Sequence, residues 1–223
     1  VISVEPDDTI KSNELASIKT YVDAQANQSY NQYLQVVGGA LYYFEVANTP
    51  YVDTLAGTYA GLISTLPSFS SPTNKVAPGV LFPVFNLSQS QMQTLTNKHI
   101  VTGRNKNNRI VFGDAITTAA DDSDFVRLTT VRIVNDAVNL IREIADPYIG
   151  EPNSLARRNA LETAIKSGLN NMIKRGALTD FRFTIKSTLA DQIDGSMNIN
   201  LDLVPAFETR RINVTIALKP VLE

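Results

Sequence analysis

DDSDFVRLTTVRIVNDAVNLIREIADPYIGEPNSLARRNALETAIKSGLNNMIKRG (residues 121–176) reads as two long helices with a short break between them. The first is expected from Ser123 to Ile149. Asp121, Asp122 and Ser123 stand where side-chain oxygens can accept the orphan N–H groups of a helix start. Phe125, Leu128, Val131, Val134, Val138, Ile141 and Ile144 or Ala145 recur at steps of three and four, the stripe of an amphipathic helix. Pro152 marks the break, because the residue before a proline is pushed out of the helical region. Asn153 or Ser154 then caps a second helix that buries Leu155, Ala160, Ala164, Ile165, Leu169, Met172 and Ile173. Lys174 and Arg175 followed by Gly176 are the chemistry of a helix end.

Beyond Gly176 the period falls to two. Phe181, Phe183 and Ile185 alternate with Arg182, Thr184 and Lys186. Met197, Ile199, Leu201 and Leu203 alternate with polar residues, and Ile212, Val214, Ile216 and Leu218 do the same. Three half-buried strands are expected, with a turn at Asp194-Gly195 and a stop at Pro205. The fold class is therefore α+β, with two long helices on a small mixed sheet in the C-terminal half. A smaller, more variable α/β region precedes it, and the division is expected between residues 1–86 and 87–223.

In that first region a helix is expected from Ser12 or Asn13 to about Ala26. A buried strand or a two-strand hairpin is expected from Leu34 to Val46, where aromatic and β-branched types dominate. Tyr51 to Leu66 reads as a small-residue helix. Pro67 to Pro78, rich in serine and proline, reads as a linker. A strand over Val80–Phe85 completes the region, and beyond it come a helix capped by Ser88 with Met92 and Leu95 inward and a hairpin turning through Asn105–Asn108.

Chemistry is sparse. The 223 residues hold no cysteine and one histidine, so no thiolate, disulfide, His-based triad or multi-His metal site can form within one chain. The lone His99 reads as structural. Asp114 and the Asp121–Asp124 run lack Ca²⁺-loop spacing, and no phosphate-binding glycine loop or nucleophile elbow occurs. No catalytic residue, metal site or cofactor is assigned. A net charge of −2 gives no whole-chain reason to expect nucleic acid or membrane as a partner. Arg104, Lys106 and Arg109 on the hairpin could touch phosphate, but no aromatic residues interleave them. The second long helix is one-sidedly basic, through Arg157, Arg158, Lys166, Lys174 and Arg175.

Six short motifs in order resemble the contractile tail sheath proteins of myovirus-type phages and pyocin-like injection machines. Residues 87–100, LSQSQMQTLTNKHI, are similar to the family segment L-t-x-x-Q-x-x-x-L-n-x-x-x-I-n, and VFGDAIT (111–117) resembles the family strand W/F-G-x-R-T-L. DFVRLTTVR (124–132) resembles a helix start ending in V-R-R. EPNS (151–154), RGALTDF (175–181) and PAFE (205–208) are similar to further family turns. The resemblance spans about Leu87 to Leu218. Asp114-Ala115 replaces the usual Arg, and Ile133 replaces the second Arg of V-R-R. These departures suit a divergent branch, such as the sheath of a very large phage.

The resemblance implies a structural subunit of a contractile injection tail, not an enzyme. Such a subunit polymerises around a tail tube and drives it through the host envelope during genome ejection. Its partners would be neighbouring sheath subunits, the tube protein, the baseplate and the tail terminator. Its place would be the virion tail, assembled in the host cytoplasm. Neighbours in that family exchange strands, so Arg210, Ile212, Val214, Ile216 and Leu218 are the expected subunit–subunit residues. Arg157, Arg158 and Lys166 are expected to face the tube. An N-terminal arm of the family has no counterpart in the given chain, which is therefore expected to be monomeric. A small carboxylate enzyme and a nucleic-acid-binding module are the alternative readings.

Overall fold

In the computed structural model, Ser154 opens the second long helix, and its hydroxyl accepts from Arg157 N at 3.3 Å. The structure describes residues 2–4, 31–44, 50–83, 87–210 and 212. In chain order the elements are β1 (Ile2–Val4), β2 (Val36–Gly38), β3 (Ala40–Phe44), β4 (Pro50–Thr54), α1 (Leu55–Thr65), β5 (Val80–Pro83), α2 (Gln89–Thr96), β6 (Ile100–Lys106) and β7 (Arg109–Phe112). They continue with α3 (Leu128–Ala145), α4 (Leu155–Lys174), β8 (Leu178–Lys186), α5 (Leu189–Ile193) and β9 (Asn198–Pro205). The α+β class holds.

Helix α4 ends as its sequence requires. Gly176 adopts φ +79°, its N–H donates to Ile173 O at 2.8 Å, and Ala177 N donates to Met172 O at 3.0 Å. This pair of bonds is the Schellman closure, and glycine accepts the left-handed φ without a Cβ penalty. Leu161, Ile165, Leu169 and Met172 form the buried stripe of α4. They meet Ile133 and Ala137 of α3, and the two helices pack on the hairpin β8–β9. Where the helices cross, a Cβ on Gly168 would stand 2.9 Å from Ile144 Cδ1. The antiparallel register sets Phe181 opposite Leu203, Phe183 opposite Leu201 and Ile185 opposite Ile199. All six pack against the helix core, while Arg182 and Asp202, paired on the other face, are exposed.

The first long helix begins five residues later than its sequence suggests. Residues 124–126 form a 3₁₀ turn and Arg127 is extended at φ −95°, ψ 129°. Tertiary pairing is the reason. Thr117 N donates to Val126 O at 2.8 Å, and Leu128 N donates to Ala115 O at 3.2 Å, so residues 126–128 serve the neighbouring strand before the helix starts. A one-turn helix, α5, also precedes the expected turn. Thr188 and Asp191 form its capping box, and the bonds from Thr188 N and Oγ1 hold the Asp191 carboxyl below the usual range.

The remaining strands form two further sheets, ordered β1-β2-β6-β7 and β4-β3-β5. β1, β2 and β6 run parallel; β7 returns antiparallel through Asn107 and Asn108, both at positive φ as a tight hairpin turn requires. Residues 34–46 do hold strands, but not a hairpin. Gly39, at φ +125°, redirects the chain, so β2 and β3 belong to different sheets. The expected helix over 51–66 is shortened, because 50–54 pair with β3 as a strand and the helix starts at Leu55. The expected linker is docked along β7: Asn74 N donates to Phe112 O at 2.9 Å and Ala77 N to Ile110 O at 2.8 Å. The first core gathers Val37, Leu55, Tyr59, Val101, Ile110 and Phe112, with Tyr59 edge-on to Phe112 at 4.9 Å. It draws on both sides of residue 86. The expected helix over 13–26, and the third C-terminal strand except for Arg210 and Ile212, lie outside the described residues.

Candidate interaction surfaces

Asp114 sits two residues beyond the end of β7 and is the centre of a charge cluster. Gly113 before it approaches β6 closely: its N–H donates to Thr102 O at 2.7 Å, and a Cβ there would meet that same carbonyl at 3.3 Å. The Asp114 carboxylate is taken up on both oxygens. Arg127 Nη1 donates to Oδ1 at 2.7 Å, and Arg210 Nη2 donates to Oδ2 at 2.7 Å. Oδ1 also accepts from Ala115 N at 2.9 Å. The Asp114 side chain is only 9% exposed and that of Arg127 17%, whereas Arg210 remains 41% exposed. Glu208 brings a second buried carboxylate 3.7 Å from Arg127 Nη1. Two acids and two guanidinium groups thus balance in one cluster, which ties the segment after β9 to the loop after β7 and the start of α3.

This geometry argues against Asp114 as a catalytic carboxylate. A general acid or base must present a free lone pair or proton to a substrate, and both Asp114 oxygens are occupied by guanidinium donors. The adjoining cavity, about 220 Å³ and lined by Asn74, Gln93, Arg104, Asp114 and Arg210 among others, is mainly polar. Arg104 Nη2 donates to Asn74 Oδ1 at 2.7 Å, so part of the guanidinium that a phosphate contact would use already has a partner. His99 adopts φ +59° with Nδ1 2.7 Å from Thr117 O and Nε2 2.8 Å from Asp121 Oδ1, a structural role. Among the described residues no three His, Asp or Glu side chains gather as metal ligands.

Arg132, the Arg of the V-R motif, also acts inward. Its guanidinium donates to Leu66 O at 2.7 Å and Pro67 O at 3.3 Å. It thereby fastens α3 to the C-terminal end of α1, where orphan carbonyls need donors.

The basic residues of α4 do not form one surface. Arg157 pairs with Glu151 at 2.7 Å, and Arg158 donates to Ser187 O at 3.3 Å. Lys166 is exposed and has no ion pair or hydrogen bond among the described residues. Nine residues separate it from Arg157, about 2.5 turns, which sets the two on opposite sides of the helix. Of the C-terminal set, Arg210 is drawn onto Asp114, Ile212 is exposed, and Val214, Ile216 and Leu218 lie outside the described residues. The β8–β9 pair carries no third strand on either edge among the described residues.

Residues 120–219 match the family model for the phage tail sheath C-terminal domain. No curated protein matches the chain. Solved structures do. The sheath of an extracellular contractile injection system, PVC, in its contracted state superposes with TM-score 0.76 at 18% identity, covering 98% of this chain and 64% of that one. The contracted helical sheath of the anti-feeding prophage gives TM-score 0.72 at 19% identity over 95% and 67%. A sheath tail protein from Listeria innocua gives TM-score 0.62 at 14% identity over 92% and 53%. The chain has the sheath fold and spans about 53–67% of the length of these relatives.

Proposed function

We propose that this chain, whose residues 120–219 carry a tail sheath C-terminal domain, is a structural subunit of a contractile injection sheath. The family match together with a fold likeness over nearly the whole chain carries the reading. In this role it polymerises around a tail tube, shortens by rearrangement of near-rigid subunits and drives the tube through a target envelope. Its chemistry is that of surfaces, with no catalytic step. Its partners are neighbouring copies, the tube, and the baseplate and terminator at the two ends; its place is the tail.

Two surfaces serve that assembly. The edges of β8–β9, unpaired among the described residues, present backbone N–H and C=O groups that a strand can complete. We assign the segment Arg210–Leu218 to such a ladder, on its own sheet or a neighbour's. Lys166 is the tube-facing candidate supported by exposure; Arg157 and Arg158 already have partners within the chain.

Electron microscopy of the whole gene product, with and without its tube protein, tests the reading. Sheath-like tubes are expected. Monodisperse particles at both low and high salt would overturn it. Lys166→Glu is expected to weaken attachment to the tube without altering the melting temperature, and unchanged attachment would remove that assignment.

A further inference from the structure

The hairpin β8–β9 has two unlike ends. At the α5 end, where Lys186 faces Asn198, four large aliphatic side chains stand in solvent: Ile149 is 78% exposed, Leu155 66%, Leu189 74% and Ile193 79%. A cavity of about 330 Å³ opens at the same end, with Tyr148, Leu161, Met197 and Ile199 among its walls. Leu155 and Leu189 are brought to this end together, because Asn153 Nδ2 donates to Ser187 Oγ at 2.8 Å and Arg158 Nη1 to Ser187 O. Ile149 lines this hollow itself, with the Glu151–Arg157 ion pair on one side of it, and exposed aliphatic groups at the same end mark a protein contact. At the other end, where Leu178 faces Pro205, Phe207 projects with 76% of its surface exposed, and Ile212 follows at 81%. Phe207 is held from both sides: Ala206 N donates to Ala177 O at 3.0 Å, and Arg210 grips Asp114.

We propose that Phe207 of one copy seats in the apolar cup at the α5 end of the next. The proposal deepens the sheath reading by naming one copy-to-copy contact. Three observations support this occupant. The two patches are both rich in apolar side chains, and these are exposed among the described residues. A hollow of about 150 Å³ already takes a benzene ring, so the cup has room for a benzyl side chain. The patches lie at opposite ends of an eight-residue ladder, on the order of 25 Å apart, so they cannot satisfy each other within one chain. A knob and a socket on opposite ends make a heterologous contact, which repeats from copy to copy instead of closing as a two-fold dimer. Anchoring on both sides of Phe207 reduces the ordering cost of the contact.

The absence of cysteine from the sequence makes a direct test available. Phe207→Cys is mixed with a mass-tagged Ile149→Cys protein at high concentration and oxidised, so that even a weak contact is captured. Heterodimer is expected at least about fivefold above that from Phe207→Cys mixed with Ser64→Cys, an exposed site on α1, because effective concentration favours the seated pair. Circular dichroism establishes that each variant is folded. Equal yields from the two mixtures would overturn the contact. Tubes in the microscope without this cross-link would leave the sheath reading and remove the seat. The cross-link without tubes would do the reverse.

Discussion

Replacing Asp114 by alanine removes the carboxylate that two arginines share. The loss can be sized from burial. The Asp114–Arg127 bond is 2.7 Å long between side chains 9% and 17% exposed, close to a buried pair, for which removing one partner costs about 3–5 kcal/mol. The Arg210 bond is equally short, but Arg210 is 41% exposed and rotates into water once released, so it adds only about 0.2–1 kcal/mol. Glu208 remains 3.7 Å from Arg127 and takes back part of the stranded charge, which places the expected loss at the lower end, about 3 kcal/mol. For a chain of this size that lowers the melting temperature by about 6–12 °C. Urea unfolding of the wild type, Asp114→Ala, Arg127→Ala, Arg210→Ala and the two double variants measures it. Coupling with Arg127 is expected above about 1.5 kcal/mol and coupling with Arg210 below about 1 kcal/mol. A total loss under about 1 kcal/mol, or the reverse order of couplings, would refute the reasoning.

Other expectations follow from single sites. Burial, opposed in part by the bond from Gln35, pushes the Tyr59 phenol well above its ordinary range. The folded state then holds a proton that the unfolded state gives up above about pH 10, so stability is complete below that pH and falls as pH rises beyond it. Tyr59→Phe should flatten this alkaline loss in pH-dependent melting, and an unchanged profile would discard the assignment. Gly38→Ala should destabilise by about 1–3 kcal/mol, because its Cβ would stand 2.9 Å from Ile100 Cγ2. Gly57→Ala, with open space at its Cβ, should stabilise α1 by about 0.5–1 kcal/mol; denaturant midpoints decide both. Ile165→Ala, at a fully buried site between the long helices and the hairpin, should cost about 2–5 kcal/mol in the same assay.

The order of elements in the C-terminal unit was legible because two periods, 3.6 and then 2, follow each other and Gly176 closes the second helix chemically. The buried faces were less so: Leu155 and Ala160, expected inward, are exposed, whereas Ile133, Ala137 and Leu161 are buried. Its errors have physical causes. The start of α3 is delayed by backbone pairing between 115–117 and 126–128, which no local pattern reveals. α5 is five residues long and too short to show a period. The sheet change at Gly39 depends on which strands lie beside β2 and β3, a tertiary fact. The basic face on α4 was misjudged from charge count; the nine-residue spacing of Arg157 and Lys166 already places them apart. The Asp114 cluster left one trace, an acid where the resembled family carries an arginine, with Arg127 thirteen residues on and Arg210 far beyond. Phe207, Leu189 and Ile193 were not singled out, since exposure of an apolar residue outside a periodic element leaves no mark in sequence.

The register of the first sheet bears on how the chain reaches this state. Val36 faces Ile100, 64 positions away (100 − 36), while Lys186 faces Asn198 across only 12 (198 − 186). Loop closure over the longer span must be met before the parallel pair returns any stabilisation, and parallel pairing is slow for that reason. The helix pair and its hairpin close mainly through near neighbours in sequence and form the quicker unit. On a chain emerging from its N-terminus, β2 waits for β6 with its edge open, and the Asp114–Arg210 clasp forms after both units exist. Docking of the two units is thus a late, separate event, and the interval before it is when β2 is most open to pairing with the wrong strand.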